Sequence, residues 1–275
     1  MKILRGLLAR FEQGIDREGR ERYHNLYRLL ASIDRGHPFY RKALLNRGRL
    51  VHWEWRESGS AYLKAARDRI FADLREIAPA SRLVRVYSGE RVPWGEEYST
   101  GAPEAPEWAR HLREAYRRCN AVVAWWGENR QAADGSLGGG WGDDVEILRS
   151  WGPLALISNA NPEVRRTVRR LADGVWESPV IAQTGFAVGM ADVEHSAEPS
   201  ADSQPIMLAI DYGNPVYAER NLKSVRLIRD KLMGWTARGH FHWKSNQVCA
   251  EGASDNPLFA ADVPYAARAF KHIVW

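Results

Sequence analysis

The chain is poor in the residues that usually announce a function. Its 275 residues hold two cysteines, Cys119 and Cys249, too few for a disulfide framework and wrongly spaced for zinc. Two buried thiols are expected, with a single bridge as the alternative. No run of about 18 apolar residues occurs, so no membrane span is expected. The start, MKILRGLLARF, is broken by Arg5 and Gly6 and lacks the h-region and cleavage site of a signal peptide. The H-E-x-x-H signature and the EF-hand loop are missing. Lys and Arg outnumber Asp and Glu by 39 to 34, a net charge of +5, which mildly favours acidic partners. No block of basic residues interleaved with aromatics points to nucleic acid.

Tryptophan is abundant by contrast. Twelve are present, several beside polar residues, such as Trp94, Trp141 and Trp243. Most are expected in the core; those at a cleft would offer a flat face and an N–H to a sugar or a base.

Helical periodicity dominates the pattern. Over Ser60 to Ile77, Leu63, Ala66, Ile70, Leu74 and Ile77 form one stripe. Pro106 to Trp126 repeats the form, with Pro106 suited to a start and Gly127 to an end. Asn161-Pro162 and Asn214-Pro215 each read as N-cap and first turn of a long helix, and Pro264 opens a further helix. Arg82–Tyr87 and Phe241–Trp243 read as short strands. The segments 78–106, 127–144, 178–205 and 236–264 read as long loops, which in a helical domain tend to carry function.

A repeat lies within this pattern. Asp144-Val145-Glu146 and Asp192-Val193-Glu194 are each followed by a proline, an apolar helical fragment, and then Asn-Pro with a long helix. The copies recur at about fifty residues, the size of a helical hairpin with its loops. Equivalent loops of neighbouring hairpins would face one cleft.

Together, WWGENRQ (125–131), DGSLGGGWGDDVE (134–146), ADVEHSAEPSADSQP (191–205), GHFHWKSN (239–246) and WEWRESGSAYLKAARDRI (53–70) resemble the (α/α) toroid enzymes that act on carbohydrates, a group that includes polysaccharide lyases and glycoside hydrolases. The resemblance implies an all-α fold, a toroid or incomplete toroid of helical hairpins with a few short strands, as one domain over 1–275, with a fragment of a longer chain as the alternative. It implies a glycan substrate. Members are often periplasmic or secreted.

Four stretches carry candidate chemistry. Asn129, Arg130, Gln131 and Trp141 flank the glycine run as substrate-binding residues. After it come Asp143, Asp144 and Glu146: one aspartate is expected to cap a helix, as Asp143 could with Glu146 in support, and the other to face substrate, Asp143 counting as substrate-binding and Asp144 as catalytic. Three carboxylates so close could also hold a structural calcium ion; no other cofactor or metal is expected. Asp192, Glu194, His195 and Glu198 put carboxylates beside a histidine, the raw material of acid–base work. Tyr212 could act as acid or base, though packing before a capped helix suits it better. In the last stretch, Arg238, His240, His242, Lys244 and Asn246 share one side of an extended segment, with Phe241 and Trp243 on the other. Zinc at His240 and His242 would want a third ligand that the spacing does not supply.

Two mechanisms follow. A lyase acting on an acidic, uronate-containing polysaccharide would use His242, His195, Tyr212, Glu194 and Asp144 catalytically, with Arg238, His240, Trp243, Lys244 and Asn246 on substrate. A hydrolase would pair Asp143 or Asp144 with Asp192 or Glu194 at roughly 5–9.5 Å. A non-catalytic glycan-binding scaffold is the third reading.

Overall fold

The computed structural model describes residues 19–92, 104–138, 140–157, 161–235, 237–254 and 271. The described chain is mostly helical, with ten α-helices and five short strands. It divides into two compact units, 1–99 and 100–275. The helix expected from Pro264 and Trp94 lie outside the described residues.

The first unit holds α1 (Gly19–Ala31), α2 (Tyr40–Ser58), α3 (Ala61–Ile77) and α4 (Arg82–Tyr87). Gly59 closes α2 in the left-handed region at φ 66°, and the Ser60 hydroxyl accepts from Leu63 N–H to open α3. Those adjacent caps turn the chain into a hairpin. The expected stripe faces inward: Ile70, Phe71 and Leu74 bury against Leu44 and Val51, with Leu63, Ala66 and Ile77 at the margin. The strand expected at Arg82–Tyr87 is instead a helix, because Ser81 caps it through Val84 N–H. Leu83 and Val86 stay exposed while Val84 is buried, so the alternation that suggested a strand decides little in so short a run.

The second unit holds α5 (Glu107–Asn129), α6 (Trp141–Ile157), α7 (Pro162–Glu177), α8 (Val193–Ala201), α9 (Met207–Ile210) and α10 (Pro215–Leu227). At its centre is α7. Asn161 caps it through Glu163 and Val164 N–H, with Pro162 in the first turn. Val164, Val168, Leu171 and Val175, spaced by one turn each, have no exposed surface. Both α5 and α6 pack on it. Gly127 does not end α5, as expected, but lies inside it: a Cβ there would come within 1.9 Å of Thr167 Oγ1 on α7. The second Asn-Pro pair behaves like the first, with Asn214 accepting from Val216 N–H.

After α10 the backbone widens into a π-helical turn, Ile228–Leu232, which leads into β2 (Met233–Trp235). That strand pairs antiparallel with β3 (Phe241–Trp243), the strand expected there. A second sheet joins β1 (Ala191–Asp192), β4 (Gln247–Cys249) and β5 (Gly252–Ala253), in the order β1-β4-β5. Phe186, Val193, Ala197, Ile228, Leu232, Trp243 and Val248 fill the core under these strands.

Two compositional expectations need correction. Cys249 is buried, but Cys119 is exposed, and both thiols are free. Among the described tryptophans Trp176 and Trp243 are buried, whereas Trp53, Trp108, Trp125 and Trp235 are exposed. An indole is large enough to leave part of its ring at the surface even when it packs well.

Candidate functional site

The candidate residues fall into three groups, all in the second unit. The first is built on the start of α8, where the sequence suggested a loop. Asp192 is the N-cap of this helix. Its Oδ1 accepts the N–H of Glu194 at 3.0 Å and of His195 at 3.1 Å. Its Oδ2 lies 2.6 Å from His195 Nδ1. A carboxylate can only accept, so Nδ1 carries the proton and Nε2 is left as the basic nitrogen. The imidazole side chain is 66% exposed, which keeps Nε2 open to an incoming molecule.

The electrostatics agree with this geometry. The hydrogen bond to Asp192 raises the His195 pKa; burial opposes the shift, and the Asp192, Glu194 and Glu198 carboxylates add to it. Burial by itself would raise Asp192, but the bonds from His195 and from Glu194 N–H prevail and its pKa falls below the ordinary range. The ligand atoms of Asp192, Glu194 and His195 come within 4.8 Å of one another, a spacing that could seat a cation, though the Asp192–His195 bond already accounts for two of the three groups.

Strand pairing carries the fourth stretch to this place. Asp192 on β1 faces Gln247 on β4, and Val193 N–H donates to the Asn246 carbonyl at 3.1 Å. Asn246 is thereby held beside the start of α8. The rest of that stretch is dispersed. His242 lies opposite Gly234 on the hairpin, on the other face from Phe241 and Trp243, as the alternation required. Trp243 itself is 1% exposed, so it anchors the hairpin and cannot serve as the expected sugar contact. Lys244 donates to the Lys231 carbonyl at 3.0 Å. Arg238 and His240 are exposed on the turn before β3. Tyr212 is 92% exposed; the packing expected for it is not there.

The second group is the glycine run and the start of α6. The helix begins at Trp141, so Asp143 is already inside it and does not cap it; Asp144 N–H bonds the Gly140 carbonyl. Asp144 is 2% exposed, and its Oδ2 accepts Leu137 N–H at 2.7 Å. Asp144, expected as a catalytic carboxylate, is thus turned onto the chain's own backbone. Glu146 pairs with Arg149 one turn on, rather than completing a capping box. Asp144 and Glu146 thus go to separate partners. Upstream, Gln131 Nε2 spans the carbonyls of Gly135 and Thr167 at 3.0 Å each, pinning the loop to α7. Asn129 bonds back to Trp125 O within α5, and the Arg130 guanidinium sits over the Trp125 ring.

The same loop walls a cavity of about 410 Å³ whose lining includes Asp134, Trp141, Arg170, Asp173 and Glu177. Two glycines set its back wall. A Cβ on Gly174 would stand 2.2 Å from the Asp134 carbonyl and 2.8 Å from the Trp141 ring; one on Gly135 would stand 2.1 Å from the Arg170 carbonyl. Backbone thus presses on backbone, and only glycine fits. Of this lining the sequence marked Trp141 alone. The signals that could have found more were Asp134, within the quoted glycine-rich stretch, and Asp173 and Glu177, four apart on the polar side of α7.

The third group joins the two Asp-Val-Glu copies. From α6, Arg149 reaches Glu198 Oε1 at 3.6 Å and Asp202 Oδ2 at 3.5 Å, the latter carboxylate fully buried. Lys271 also pairs with Asp202. Neither Arg149 nor Asp202 was marked; their i,i+3 and i,i+4 spacing from Glu146 and Glu198 is the signal that was there to use.

Compared with known proteins, the chain matches no family model, no curated protein and no solved structure.

Proposed function

We propose that this protein is a carbohydrate-active enzyme, a polysaccharide lyase that cleaves uronate-containing acidic polysaccharides by β-elimination, and that its helical hairpins belong to an (α/α) toroid or part of one. The observation that carries the reading is the Asp192–His195 pair at 2.6 Å, beside Asn246. His195 Nε2 takes the proton α to the uronate carboxylate. The C–H electrons form the new C=C bond, the C4–O bond breaks, and the proton returns to the leaving oxygen. Asp192 fixes the tautomer and stabilises the imidazolium that forms. Asn246 supplies an amide of the kind that neutralises a uronate carboxylate. The toroid is supported by the packing of α5 and α6 on α7 and by the two Asn-Pro-capped helices. The runner-up, a hydrolase using paired carboxylates, loses Asp144 to burial.

The test is incubation with uronate polymers while following ultraviolet absorbance of the unsaturated product. Absorbance should rise with the wild type and not with His195→Ala. Reducing ends released from neutral glycans without that absorbance would replace elimination by hydrolysis. Glycan binding without turnover, unchanged in His195→Ala, would leave a binding scaffold.

A further inference from the structure

The cavity beside Trp141 is not used by the chemistry proposed for His195, and its lining has a clear preference. Its volume of about 410 Å³ falls in the range of small-molecule sites, roughly 300–1,000 Å³. Trp141 lines it, and its ring lies so close to Gly174 that a Cβ there would come within 2.8 Å of it. An indole face suits the apolar face of a sugar.

The polar lining is dominated by acceptors. Asp134, Asp173 and Glu177 contribute three carboxylates and Arg170 one guanidinium, which gives one of its five N–H donors to the Ala132 carbonyl at 2.8 Å. Arg220 approaches Asp173 at 2.6 Å and Glu177 at 3.8 Å, Arg169 approaches Asp173 at 3.8 Å, and Tyr217 donates to Asp173 at 3.0 Å. These contacts hold the acids in place and offset part of their charge. Gln183 Nε2 also donates to Glu177 Oε2; a carboxylate has about four acceptor positions, so capacity remains at Glu177, whose side chain is 54% exposed. A ligand carboxylate brought here would meet like charge; hydroxyl or ammonium groups would meet acceptors.

We propose that this cavity binds a sugar ring stacked on Trp141 that presents hydroxyl or ammonium donors to Glu177 and Asp173, and that it rejects uronates. This goes beyond the elimination reading, and its readout is binding, so either can fail while the other stands.

The experiment is calorimetric or saturation-transfer titration of the full chain with glucosamine, glucose and glucuronate. Glucosamine, glucose or both should saturate, with glucuronate weaker by at least about tenfold. Trp141→Ala should abolish the binding. Because that change also strips a packing partner from Gly174, Glu177→Gln is the companion: it keeps the shape at an exposed rim and should weaken binding several-fold. A loss confined to glucosamine identifies an ammonium contact, and an equal loss for both identifies hydroxyl contacts. Glucuronate binding as tightly as glucose, no saturation by any of the three, or unchanged affinity in both variants would overturn the proposal.

Discussion

The tripeptide Asp-Val-Glu occurs twice and does opposite things. In Asp144–Glu146 the aspartate lies inside α6, buried, with its carboxylate on Leu137 N–H. In Asp192–Glu194 it is the N-cap of α8, and its second oxygen orients an exposed histidine. The valines behave alike, both buried. What differs is where the helix begins: ahead of the aspartate at Trp141 in one case, immediately after it in the other. A shift of about one turn thus separates a carboxylate that holds the fold from one that faces outward.

The comparison can be broken at several points. The largest effect is expected for Gly174→Ala, which would drive a Cβ into the Asp134 carbonyl and the Trp141 ring; overpacking of this kind costs about 1–3 kcal/mol or more, to be read as a lower urea midpoint and loss of the cavity. Asp144→Ala comes next, because a buried N–H loses its acceptor at a cost of about 1–3 kcal/mol. Asp192→Ala should cost about 1 kcal/mol, the worth of an N-cap. Equal losses for the two aspartates in parallel denaturation curves would remove the distinction between them.

The smallest effect is on pH. The folded-state His195 pKa is raised above 6.5, so its contribution to stability is complete below that value and fades as pH rises through the raised one. Asp192 has a lowered pKa, so the same pair is lost again as pH falls through the Asp192 value in acid. Both partners are solvated, and the contribution should amount to no more than roughly a few tenths of a kcal/mol. If His195 is the base, turnover rises with pH through its pKa, and Asp192→Asn should move that limb to lower pH. A limb that stays in place would separate His195 from the chemistry.

Local signals were legible in the sequence where a single residue decides them. Asn161, Asn214 and Ser60 cap the expected helices, and the apolar stripe of α3 faces its core. Phe241–Trp243 is a strand whose residues alternate as expected. What failed depended on partners distant in sequence. Gly127 looked like a helix end, but it answers to Thr167. The acceptor role of Asp144 depends on Leu137 lying over it. Arg82–Tyr87 was too short for periodicity to settle, and its cap decided it. In the site, His195 and Asn246 were marked separately, and it is the β1–β4 pairing that sets the Asn246 carbonyl on Val193 N–H, two residues before His195. The cavity acids were missed because Asp173 and Glu177 read as ordinary solvent-facing residues of an amphipathic helix.

The π-helical turn Ile228–Leu232 acts as a phase shifter. A π turn carries about one residue more than an α turn, and one residue is worth about 100° of helical rotation. Removing one residue there would let α10 run on with regular winding and deliver β2 rotated relative to its partner. The residue taking the place of Met233 in the core would then have been meant for the other face, and Trp235 would lose its position opposite Phe241. The length of the chain at that single turn therefore sets which face of the hairpin meets water.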